Sequence, residues 1–75
     1  MDTIKNRRNA MGLTAAELAR ALGMARVTNL YRLETGRRAP TKQHEAALRA
    51  LEYLHSLGLL RDFMTHLLGR QDRPF

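Results

Sequence analysis

The chain has 75 residues, with 13 lysines and arginines against 7 acids and a net charge of +6. A chain of this size forms one small domain with a marginal core. With no cysteine it has neither a disulfide nor a thiolate zinc site, and no apolar run approaches the ~20 residues of a membrane span. Eleven of the 13 cations are arginine, whose planar fork suits phosphates and guanine edges, so composition points to a polyanionic partner. The opening stretch MDTIKNRRNAMG lacks the apolar segment of a secretory signal, and the expected location is cytoplasmic.

Apolar spacing between the glycines and prolines is helical throughout and β-branched residues are few. The expected fold is all-α, a compact domain of five helices without a sheet. The first helix is predicted from Thr3 to Met11, stopping at Gly12, with Ile4 and Met11 inward. The second begins at TAAE, where Thr14 caps the helix and Glu17, three residues on, completes a capping box. Leu18, Ala19 and Leu22 form its inner stripe and Gly23 ends it. The third lies between about Arg26 and Thr35, with Leu30 and Leu33 inward and Gly36 as terminator. After the loop GRRAP, Thr41 caps a fourth helix with a stripe of Ala47, Leu48, Leu51 and Leu54, interrupted at Gly58. The fifth reads LLRDFMTHLLG, with Leu59, Leu60, Phe63, Met64, Leu67 and Leu68 on one wide face. Residues 2–57 are thus a core, 58–69 a C-terminal helix, and 70–75 a flexible tail within a single domain spanning 1–75.

The second and third helices carry the functional signal. Ala19 is small enough to let one helix cross closely over the other, and Met24 plugs the core from within the turn. The ordered set Leu13, Thr14, Glu17, Leu18, Ala19, Leu22, Gly23, Glu34, Gly36, Arg37, Arg38 and Pro40 resembles the helix-turn-helix of the Xre family, the Cro and cI-type repressors. The resemblance runs over residues 4–54 and implies a lambda-repressor-like helical domain that binds DNA as a dimer on an inverted repeat. A looser likeness is to small phage-type regulators such as anti-CRISPR-associated repressors.

Three departures from that pattern matter. Arg7 stands where the family often has an inward leucine, which implies a rotated helix or an arginine snorkelling toward phosphate. Ala15 replaces a glutamine that many relatives set against phosphate. The third concerns spacing: Leu30 lies six residues after Met24, where the family usually has five. An insertion inside the helix would turn everything after it by ~100°, yet the spacing from Leu30 through Gly36 is intact. The extra residue is therefore expected in the turn or the first helical turn, with Ala25–Val27 in the loop and Thr28 as a late cap in one version.

With Leu30 and Leu33 inward, Arg26, Thr28, Asn29 and Arg32 are expected to read bases in the major groove. Arginine bridges guanine O6 and N7, asparagine bridges adenine N6 and N7, and Val27 or Thr28 can pack on a thymine methyl. Thr14, Tyr31, Arg37, Arg38 and Arg7 are expected at phosphates, positioning the protein without reading sequence. Arg8 and Arg20 are weaker candidates. Glu34, a carboxylate that would repel phosphate, is read as structural.

No catalytic pattern stands in the sequence, and no metal or cofactor site is expected. His44, His55 and His66 recur every eleven residues, but on one helix that places neighbours about 16 Å apart, too far to share an ion. The wide apolar face of the last helix is expected to pair two copies through Leu57, Leu60, Phe63, Met64, Leu67 and Leu68, setting two reading helices about 34 Å apart on double-stranded DNA. The leading function is a dimeric repressor. The alternatives are an antitoxin or interaction module whose DNA binding is autoregulatory, with an unidentified protein partner, and a non-specific packaging protein.

Overall fold

A computed structural model describes residues 3–71, with side chains to residue 69. Five helices follow one another: α1 (Ile4–Ala10), α2 (Ala15–Ala21), α3 (Val27–Glu34), α4 (Lys42–Ser56) and α5 (Leu60–Gln71). Among the described residues there is no strand, and the fold is all-α. No helix is long and apolar enough to cross a membrane. Helix α5 runs through Arg70 and Gln71, which the sequence reading placed in the tail; residues 72–75 lie outside the described residues.

Local chemistry sets most of these boundaries. Thr3, Thr14 and Thr41 each cap a helix, accepting the backbone N–H three residues on. At α2 the box is complete, with the Thr14 N–H donating to Glu17 Oε1 at 2.9 Å. At α4 the third-position partner is a histidine, and His44 Nδ1 accepts the Thr41 N–H at 3.1 Å. Helices α1, α2 and α4 close at their other ends as Schellman motifs. At α2 the Met24 N–H reaches Ala19 C=O at 2.9 Å and the Gly23 N–H reaches Arg20 C=O at 3.0 Å. Gly23 sits at φ +76°, which a side chain would resist. The same closure at Gly58 separates α4 from α5.

The core holds Met11, Leu13, Leu18, Ala19, Leu30, Leu48, Leu51, Leu60 and Met64, with Leu33 also buried beside it. Leu18, Leu30, Leu48 and Met64 are wholly enclosed. Each is worth roughly 2–3 kcal/mol of burial, and truncating one to alanine costs about 2–5 kcal/mol. Helix α3 therefore sits on α2 and α1 by its Leu30 and Leu33 side, leaving the opposite side free.

Two expectations change here. Leu60 and Met64, assigned to a dimer surface, are core residues at 4% and 0% exposure, and Leu67 and Leu68 pack half-buried against that core. The α5 stripe is wide because its centre covers the domain while its margin faces out. Second, Thr28 does not cap α3. The cap is Arg26, at φ −137° and ψ 142°, with no side-chain hydrogen bond, and Val27 opens the helix.

Candidate nucleic-acid interface

Five residues, Leu22 to Arg26, join α2 to α3. The Asn29 N–H returns to Arg26 C=O at 3.1 Å, an i→i+3 closure, whereas α1, α2 and α4 open with i→i+4 bonds from their caps. The turn is thus five residues long, and α3 is α-helical from Val27. From Leu30 onward the helix keeps its register.

Helical rotation then sorts the outward residues. Thr28, Arg32 and Thr35 lie opposite Leu30, with Tyr31 on one flank; all four are exposed. Asn29, four residues before Leu33, is half-buried on the other flank, so it is less open than the base-reading expectation required. Arg26 is exposed at the tip of the helix. Arg37 and Arg38 follow in an exposed loop tied to the helix end, where the Arg38 N–H donates to Arg32 C=O at 3.1 Å. Thr14 is exposed, but its N–H and Oγ1 are both engaged in the α2 box.

Charge is segregated across the molecule. Between Arg26 and Lys42 the chain carries five cations and one acid, Glu34. That acid is turned away from the outward face. Arg8 Nε donates to Glu34 Oε2 at 2.7 Å, and Arg8 Nη1 donates to Leu13 C=O at 3.2 Å. The side chains of the pair are only 12% and 5% exposed. Glu34 is structural, and it ties α3 to α1.

Arg7 is spent in the same way, away from any phosphate. Its Nε and Nη2 take both oxygens of Glu52 at 2.9 and 2.7 Å, and Nη1 takes Glu45 at 3.0 Å. These bonds hold the guanidinium firmly charged and pull the Glu52 and Glu45 carboxyls below the usual carboxylate range. Arg7 thus makes a polar tie between α1 and α4, which corrects its assignment as a phosphate contact. Glu17 is lowered too, first by the Thr14 N–H and then by Arg61 at 3.2 Å. Among the described residues no carboxylate lies within ion-pair distance of Arg26, Arg32, Arg37 or Arg38.

Sequence reasoning missed Thr35, which completes the outward row; its seven-residue spacing from Thr28 was the available signal. The expected interface is exposed only in part, at the apolar corner where α4 meets α5. Tyr53, Leu57, Leu59 and Phe63 are 65%, 52%, 48% and 37% exposed there. Of the six expected interface residues, Leu57 and Phe63 are on this corner. Among the described residues no three histidines or carboxylates stand close enough together to hold a metal ion.

A family model described as a helix-turn-helix domain matches residues 2–64, taking in all of α1 to α4 and the first turn of α5. Neither curated proteins nor solved structures gave a match.

Proposed function

The chain belongs to the helix-turn-helix domain family, and from that premise we propose that it is a sequence-specific, DNA-binding transcriptional regulator of the Xre type. In this reading α3 enters the major groove. Arg32 and Arg26 read base edges, Thr28 supplies a base or phosphate contact, and Asn29 reaches a base from the flank of the helix. Arg37, Arg38, Tyr31 and the Thr14 hydroxyl position the protein on phosphates.

The observation that carries the proposal is the charge pattern. Arg26, Arg32, Arg37 and Arg38 have no carboxylate partner among the described residues, while Glu17, Glu34, Glu45 and Glu52 are all drawn to arginines elsewhere. A face with unpaired guanidinium groups on a helix of rigid register fits a phosphate-edged groove.

The protein acts as a dimeric repressor on an inverted repeat, blocking a promoter by occupancy. The dimer contact is the corner of Leu57 and Phe63, joined by Leu59 and Tyr53, which together leave a large apolar area in water. The same corner supports the second reading, an antitoxin or interaction module whose partner covers it. Selection of bound duplexes from a random library at ~150 mM salt tests the first reading, because that salt suppresses purely electrostatic binding. An enriched inverted repeat is the expected result. Equal recovery of all sequences, with binding lost in salt, would overturn it.

A further inference from the structure

The outward row of α3 is more than a set of cations. Thr28, Tyr31, Arg32 and Thr35, with Arg37 reaching in from the loop, ring an open depression of about 340 Å³. Two of these five residues bring guanidinium groups; the other three bring carbon with a hydroxyl. At Thr35 the hydroxyl is already used, since Oγ1 donates to Tyr31 C=O at 2.8 Å. A threonine bonded back to its own helix turns its γ-methyl to the other side of Cβ. Thr35 itself is exposed, so the γ-methyl is the group it has left to offer a ligand.

A phosphate would suit the two guanidinium groups of this depression but not the carbon of Thr28, Tyr31 and Thr35. The bases offer hydrogen-bonding groups at every pair along the major groove and one apolar group, the 5-methyl of thymine. We propose that this depression reads one base step, a guanine beside a pyrimidine that carries a 5-methyl group. Arg32 takes guanine O6 and N7. The methyl seats against the Thr28 and Thr35 methyls and the Tyr31 ring, and Arg37 holds the nearby phosphate. The inference rests on the regulator reading above and adds the chemistry of the step that is read.

The test uses the full chain and the duplex enriched by selection. Each thymine is replaced in turn by uracil, which removes the methyl and keeps every hydrogen-bonding group. One thymine beside a guanine should show binding weakened about three- to fivefold, and the others should show none. Cytosine at that place, paired with guanine, should bind weakly and 5-methylcytosine should restore binding. The Thr28→Ser/Thr35→Ser variant keeps both hydroxyls and should bind the thymine and uracil duplexes alike, whereas Thr35→Val should keep the preference. A duplex bound specifically but indifferent to uracil at every thymine would overturn the methyl reading and leave the regulator standing. So would a preference that survives the double serine variant. Failure to enrich any duplex would overturn both.

Discussion

Arg7 and Arg8 on α1 and Arg32 and Arg37 on and after α3 are the same residue type in one basic chain, and the fold puts them to opposite uses. The α1 pair points inward and meets three carboxylates at 2.7 to 3.0 Å. The α3 pair points outward and meets none among the described residues. A count of arginines therefore says that a polyanion is a suitable partner but not where it binds. The position of the carboxylates adds the missing information: Glu17, Glu34, Glu45 and Glu52 are held by arginines away from the outward side of α3, the side proposed to face the groove. The difference is also one of energetic role. A guanidinium enclosed with its carboxylate holds elements together, while one in water contributes little to stability and is available for binding.

The buried tie should show the largest effect. Arg8→Ala leaves Glu34 enclosed without its partner and should cost about 2–4 kcal/mol, a large share of the roughly 4–11 kcal/mol expected of a domain this size. Glu34→Ala should cost a comparable amount. The Arg8→Met/Glu34→Leu double variant should recover much of the loss, because an apolar pair carries no desolvation penalty. Thermal unfolding of the four proteins gives the cycle. Simple additivity would show that the pair is not coupled and would remove its role in seating α3.

The outward arginines should behave in the reverse manner. Arg32→Ala should leave the unfolding temperature unchanged, weaken binding to the selected duplex, and forfeit about 1–3 kcal/mol of discrimination at one base pair. Arg37→Ala should weaken binding to all duplexes alike and lower the salt slope by about one unit. Arg7→Ala sharpens the contrast, since it should lower the unfolding temperature without moving the salt slope. If Arg7→Ala lowered the slope as Arg37→Ala does, the division between the two groups would fail.

The pH dependence follows from the same ties. Glu52, Glu45 and Glu17 all have carboxyls lowered from the ordinary 4.5. A group whose pKa is lowered on folding adds stability that is fully present above its unfolded value. That stability is lost as pH falls through the lower folded value. The unfolding temperature should therefore hold down to about pH 5 and then fall toward pH 3. Arg7→Ala should flatten that fall by returning Glu52 and Glu45 to ordinary carboxylates. An equally steep fall in the variant would place the acid sensitivity elsewhere.

What was legible in the sequence was local. The Thr14–Glu17 box, the glycine terminators and the Leu30–Leu33 side of α3 each depend on residues within one or two turns, and each stands in the structure. The start of α3 was half legible, because the spacing after Leu30 fixed the register of the helix but could not choose among conformations of the turn before it. The ties of α1 were not legible. Glu45 and Glu52 are seven residues apart and so share a face of α4, but nothing local shows that Arg7 would meet that face from 38 and 45 residues away. The α5 stripe failed for a related reason. Six apolar residues cover so much of its circumference that periodicity alone cannot choose the inward arc; the crossing after Gly58 does, drawing in Leu60 and Met64.

The two helix starts of the helix-turn-helix yield the smallest expected effect. Helix α2 begins under a complete box, and Thr14→Ala should cost about 1 kcal/mol. Helix α3 begins under Arg26 with no side-chain acceptor for its first N–H groups. The extended backbone of Arg26 is already that of a good cap, so Arg26→Ser should supply the missing acceptor without strain. Stability should rise by about 0.5–1 kcal/mol, or roughly 3–6 °C in unfolding temperature. DNA affinity should fall at the same time, because a cation at the tip of the reading helix has been exchanged for a neutral group. An uncapped start is then a stability deficit kept where an arginine is needed for binding. If Arg26→Ser raised the unfolding temperature and left affinity intact, Arg26 would have no part in the interface, and the deficit would belong to the five-residue turn alone.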